Sequence, residues 1–182
     1  MILPAIVIGL GTTGRRTVEF LQMMLYARYR GHLGDLNHFL KLIAIDTIDE
    51  AKVNWFPIPE NIITYISLTT KKSLSGIRTS LNDPSWWAKE ASEGVDVIDN
   101  GAYGIRPNGR GVLWSNMSDV TKKISSEREE LQRVMNDMAR FTGSLQNLKI
   151  DRLSDNITCF IVGSLAVSSL FCKLSSGLYS QG

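Results

Sequence analysis

Apolar positions along the chain follow two rhythms. Residues 2–8 are almost wholly apolar, and Leu40-Lys41-Leu42-Ile43-Ala44-Ile45 repeats that density up to Asp46. Short apolar runs bounded by turn formers predict strands, and their near-continuous character predicts parallel strands covered on both faces. Asn61 to Leu68 and Asn156 to Gly163 predict a third and a fourth strand. Between the first two, residues 14–30 carry Val18, Leu21, Leu25 and Tyr29 at helical spacing. That spacing predicts a helix laid on the sheet by this face and stopped by Gly31. Asp83-Pro84 has the form of an N-cap followed by a first-turn proline, and predicts a short helix with Trp87 and Ala91 on one side. Ser118 predicts the cap of a longer helix that ends at Gly143. Its apolar stripe is Val120, Ile124, Leu131, Val134, Met138 and Phe141, with Glu127, Arg128, Glu129 and Glu130 on the wet side. Strand, helix, strand in this order predicts an α/β fold: a mainly parallel, doubly wound, Rossmann-like sheet with helices on both faces.

Composition adds bounds. The 182 residues suffice for one domain with a sizeable core. A formal charge of +2, from 20 basic and 18 acidic residues, argues against a general nucleic-acid binder. No run approaches the roughly 20 apolar residues that span a bilayer, and no secretory leader is visible, so no membrane partner and a cytoplasmic location are expected. Cys159 lies in an apolar run and reads as a buried reduced thiol. His32 and His38 read as solvated loop histidines, Trp86-Trp87 as part of a helix covering the sheet, and no metal cluster or catalytic triad is expected.

The candidate chemistry sits at Gly9-Leu10-Gly11-Thr12-Thr13-Gly14-Arg15-Arg16. G-x-G-x-x-G between a strand and a helix points backbone N–H groups at a phosphate. Cations are unfavourable at the positive end of a helix, so Arg15 and Arg16 break a local rule that a bound anion would resolve. Asp46 stands at the tip of the second strand, where a dinucleotide fold keeps its ribose-binding acid, but 32 residues beyond Gly14. A turn carboxylate is the equal alternative there. A second glycine-rich stretch, residues 101–110, follows the third strand. Gly101 and Gly104 would let backbone approach a phosphate, with Arg106 and Arg110 to neutralise it. A solvated surface loop is the alternative.

In order and rough spacing, Ile8 to Gly14, Ile45-Asp46-Thr47-Ile48-Asp49, Gly101 to Arg110 and Phe160-Ile161-Val162-Gly163-Ser164 resemble the nucleotide-binding half of the tubulin and FtsZ superfamily. The bacterial tubulin-like proteins share the pattern around Ile105 to Arg110. The resemblance implies a GTP-binding domain. Gly9, Gly11, Thr12, Thr13, Gly14 and Arg15 would cradle the inner phosphates. Asp46 and Thr47 would lie near the phosphates or their Mg2+. Gly101, Ala102, Tyr103 and Gly104, with Arg106, would reach the terminal phosphate. Full-length relatives would assemble head to tail.

The resemblance fails after Ala166. The family pattern continues into a glycine-rich signature loop, and Val167 puts a β-branched side chain at a close phosphate approach. Residues 1–166 are therefore read as a partial nucleotide-binding domain and 167–182 as a divergent tail. A truncated or frameshifted member, or an isolated fragment, is expected, with slow or no hydrolysis alone. Two other classes stay open: an NAD(P)-binding oxidoreductase domain and a non-enzymatic interaction fragment.

Overall fold

The computed structural model describes residues 4–47, 60–68, 73–81, 83–92, 106–150, 154 and 156–163, with Ala91, Ser92 and Arg106 described by backbone alone. Among the described residues the order is β1 (Ala5–Leu10), α1 (Gly11–Arg28), α2 (Leu33–Asn37), β2 (Leu40–Asp46) and β3 (Ile63–Ser67). Then follow α3 (Leu74–Thr79), α4 (Lys89–Ser92), α5 (Arg106–Ser115), α6 (Met117–Asn136), a 3-10 turn (Met138–Phe141), α7 (Thr142–Asn147) and β4 (Thr158–Gly163). The four strands form one all-parallel sheet in the order β3-β2-β1-β4. This is the expected α/β fold.

Alternation along the central strands explains their unbroken hydrophobicity. Ile6, Ile8, Leu10, Ile43 and Ile45 point to one face, into a core with Trp87, Val112, Leu113, Val120, Ile124 and Leu131. Val7, Leu42 and Ala44 point to the other, against Val18, Leu33, Leu36 and Phe39. Each face is closed by helices, so neither has room for a polar alternation. Lys41, the exception in the second run, is buried toward α6. Its ammonium lies 2.8 Å from Glu130 and 3.8 Å from Glu127.

Several boundaries differ from expectation. β1 runs to Leu10, and α1 starts at Gly11 and ends at Arg28. Gly9 is therefore a strand residue. Gly31 does take a positive φ of 75° just beyond the helix. The buried line of α1 is Gly14, Arg15, Val18, Glu19 and Gln22. Leu21, Leu25 and Tyr29 are only partly buried at its flank. Asp83 and Pro84 open a tight turn, with the Ser85 N–H donating to Asp83 Oδ1 and the Trp87 N–H to the Pro84 carbonyl; the helix starts only at Lys89. Ser118 does not cap α6, which begins a residue earlier, at Met117. Asn116 separates α5 from α6, and its amide turns back to donate to the Val112 carbonyl of α5. The long helix stops at Asn136, before the expected end at Gly143.

Three burial expectations are reversed. Glu127 is buried, because it shares the spacing of Val120, Ile124, Leu131 and Val134 and faces the sheet, where Thr64 donates to it at 3.0 Å. Met138, assigned to the stripe, is exposed in the 3-10 turn. Cys159 is exposed, because β4 is an edge of the described sheet and Phe160 and Ile161 beside it are exposed too. No helix among the described residues is long and apolar enough to cross a membrane.

Candidate functional site

In an open parallel sheet, ligands bind outside the carboxyl ends of the strands where the strand order reverses. Here β2 and β3 build outward from one side of β1, and β4 returns to its other side. The switch point lies between β1 and β4, where Leu10 is paired with Gly163. The first glycine turn leaves the sheet there.

The three glycines of that turn have different reasons to be glycine. A Cβ on Gly9 would lie 2.3 Å from the Gly14 carbonyl oxygen, and a Cβ on Gly14 would lie 2.4 Å from the Val162 carbonyl oxygen. Both are close-packing positions that let α1 sit directly on β1 and β4. Gly11 is different. Its φ is +64°, in the left-handed region, and a Cβ there would meet no described atom within 4 Å. The chain needs glycine at 11 for its turn, and the space beyond it is open.

Among the described residues no side chain caps the start of α1, where Leu10 occupies the cap position, and its first turn holds no acid. The first N–H groups of a helix have no partner within the helix. Here they emerge at the switch point beside Thr12 and Thr13, both exposed. The Thr13 carbonyl accepts from Thr17 at 2.9 Å, a bond inside the helix.

Arg15 is not poised at the helix start as an unpaired cation. It is 2 % exposed, and its Nε donates to Glu19 Oε1 at 2.8 Å. Its guanidinium lies 5.2 Å from the centre of the Tyr65 ring. Glu19, one turn along the same helix, supplies the negative charge that the sequence reading assigned to a bound anion. Arg16 is exposed. Asp46 is buried at the carboxyl end of β2, and its Oδ1 accepts the Thr47 N–H at 2.8 Å. That is turn chemistry, and it also places Asp46 and Thr47 on the same rim as Gly11.

Gly101, Ala102, Tyr103 and Gly104 lie outside the described residues, as do Ile48, Asp49 and Val167 with its tail; Arg106 opens α5, and nothing further is described of it. Residues 106–110 are helical, where the sequence reading placed a loop. Arg110 stacks over Trp86 at 4.2 Å from the ring centre, and Trp86 stacks on Trp87. Trp87 is fully buried; its indole N–H donates to Asn108 Oδ1 at 3.0 Å, and its carbonyl accepts from Arg78 at 2.6 Å. The tryptophan pair is thus the brace of α5. Two buried donors near the start of α5, Asn108 Nδ2 and Arg110 Nε, have no hydrogen-bond partner among the described residues.

The end of the sheet to which α5 belongs follows from α6. Lys41, at the amino end of β2, meets Glu127 and Glu130 in the second half of α6. α7, further on, is bonded to Asp35 in the connection leading into β2. α6 therefore runs down toward the amino ends of the strands. Its start, with α5 one residue before it, is directed toward the rim of Gly11.

Sequence reasoning missed Glu19 and Tyr65 as partners of Arg15. The i, i+4 spacing of Arg15 and Glu19 was a usable signal; nothing local pointed to Tyr65. It also missed the Trp87–Asn108 bond, which joins segments far apart in the chain.

A family model described as tubulin-like matches residues 6–166. No curated protein and no solved structure gives a match.

Proposed function

The chain belongs to the tubulin-like family, and from that premise we propose that it binds a guanine nucleotide, with the phosphates on the first turn of α1. The observation that carries this reading is the start of α1: uncapped, free of acids, entered through a left-handed glycine, and set at the β1/β4 switch point. N–H groups and the helix dipole there favour an anion. The residues fit such a group, since the space a Cβ of Gly11 would enter is clear of described atoms.

In this reading the N–H groups of Gly11 to Thr13 hold the inner phosphates and the Thr12 and Thr13 hydroxyls face them. Gly9 and Gly14 serve by letting the helix start lie close to the sheet. Asp46 and Thr47 border the phosphates and their Mg2+ from the end of β2. Gly101 to Gly104 and Arg106, immediately before or at the start of α5, take the terminal phosphate. The unpartnered donors of Asn108 and Arg110 support an acceptor-rich neighbour at that end. Guanine as the base, and head-to-tail association of copies through the bound nucleotide, rest on family membership.

A dinucleotide is the competing ligand, because the same strand order and an acid at the tip of β2 also occur in NAD-binding folds. Fluorescence titration of the purified chain with a labelled GTP analogue and, separately, with NADH separates the two. Saturable binding of the GTP analogue, displaced by GTP and not by NADH, and lost in Gly11→Val, is expected. Binding of NADH alone would assign the site to the other class.

A further inference from the structure

We infer that Arg15, Glu19 and Tyr65 form a lock that sets the roll of α1 and so aims its first-turn N–H groups; this rests on the reading that those groups bind nucleotide phosphates. Arg15 then acts as a positioning residue and makes no phosphate contact of its own.

The lock is a closed triangle of side chains. Glu19 Oε1 accepts from Arg15 Nε at 2.8 Å and from the Tyr65 hydroxyl at 3.2 Å, while the Arg15 guanidinium lies over the Tyr65 ring. Arg15 and Glu19 are each 2 % exposed, so water competes little for these bonds. Tyr65 belongs to β3, two strands away from β1 in the sheet. On its opposite flank the start of α1 rests on β4, with Gly14 against the Val162 carbonyl. One turn beyond Glu19, Gln22 Oε1 accepts the Ile62 N–H at 2.7 Å, so the same flank of α1 is tied to the β3 segment twice. A helix held at both flanks cannot turn about its own axis. Such a turn would swing the N–H groups of residues 11–13 away from the switch point.

A tie of this kind is costly to build from charges, since a buried ion pair seldom adds stability over apolar packing. Its geometric content is the gain. Arg donates along fixed directions and stacks on an aromatic face, which an apolar contact does not reproduce.

The test is titration of the full chain with a labelled GTP analogue for the wild type, Glu19→Gln, Tyr65→Phe, Arg15→Lys, Arg15→Ala and the double variant Arg15→Ala with Glu19→Gln. Thermal melts of each variant report folding. Direct contact between Arg15 and phosphate, and the lock, predict opposite signs for Glu19→Gln. Removing the acid would release Arg15 toward a triphosphate and tighten binding if Arg15 were a ligand. The lock predicts weakening by about tenfold, the same for Tyr65→Phe, no rescue by Arg15→Lys, and a double variant no weaker than the worse single one. Tyr65→Phe keeps the ring and removes only the hydroxyl, so it decides the matter should Glu19→Gln fail to fold. Unchanged or tighter binding in Glu19→Gln or Tyr65→Phe, with the wild type binding, would overturn the lock alone. A wild type that binds no GTP analogue would overturn the lock together with the nucleotide reading.

Discussion

A methyl group on Gly14 would lie 2.4 Å from the Val162 carbonyl oxygen, whereas one on Gly11 would meet no described atom. The two positions should therefore fail differently. Gly14→Ala has to push α1 off β4, an overpacking cost of about 2–3 kcal/mol, or about 5–10 °C in melting temperature for a chain of this size. Gly11→Ala pays only for a left-handed alanine, about 1 kcal/mol. Its loss of GTP affinity should exceed its loss of stability, with Gly14→Ala the reverse. Thermal melts beside labelled-GTP titrations check the ordering; equal effects in both assays would refute the division of roles. The motif was legible in the sequence, but the roles within it were not. Glycine spacing is the same whether a glycine serves a turn, a ligand or a neighbouring carbonyl. Arg15 was misread for a related reason: its rule-breaking position was visible, but Tyr65, which completes its setting, lies 50 residues away.

Among the elements, hydrophobic periodicity located the described strands and the long helix well. It failed where a buried line is polar. α1 buries Arg15, Glu19 and Gln22, and α6 buries Glu127. Glu19 and Glu127 accept from Tyr65 and Thr64 of β3, Arg15 lies against the Tyr65 ring, and Gln22 accepts from Ile62 just before β3; none of these contacts can be read from the helix alone. Asp35 shows the same non-local satisfaction. Its two oxygens accept from Ser144 at 2.6 Å and Asn147 at 2.8 Å, which joins α2 to α7. The bonds from Ser144 and Asn147, with a smaller contribution from His32, hold the Asp35 carboxyl below its ordinary value of 3.8. A carboxylate with a depressed folded-state pKa contributes stability above its unfolded value and loses it as pH falls through the folded one. Asp35→Ala should thus cost about 1 kcal/mol at pH 7 and progressively less below pH about 4, as the wild type loses the same contribution. Urea unfolding of both proteins at pH 7 and pH 3 measures this. A difference that stays constant or grows on acidification would contradict it.

At the scale of the molecule, the sheet order places one turn at the point where the strands reverse direction of growth, and no described side chain closes that turn. The order itself was not legible in the sequence, because parallel pairing of β4 with β1 joins segments about 150 residues apart. The class of fold and the rim at which the first glycine turn lies were legible, since strand, glycine turn and helix are contiguous. The central claim is that the N–H groups opening α1 bind the phosphates of GTP. Amide hydrogen exchange of Thr12 and Thr13, followed by nuclear magnetic resonance with and without GTP, tests it most directly. Those amides lack helical partners, so they should exchange fast in the free protein and slow by about tenfold or more when GTP is bound, while exposed amides of α7 stay unchanged. Exchange at Thr12 and Thr13 that is the same with and without saturating GTP would contradict the claim.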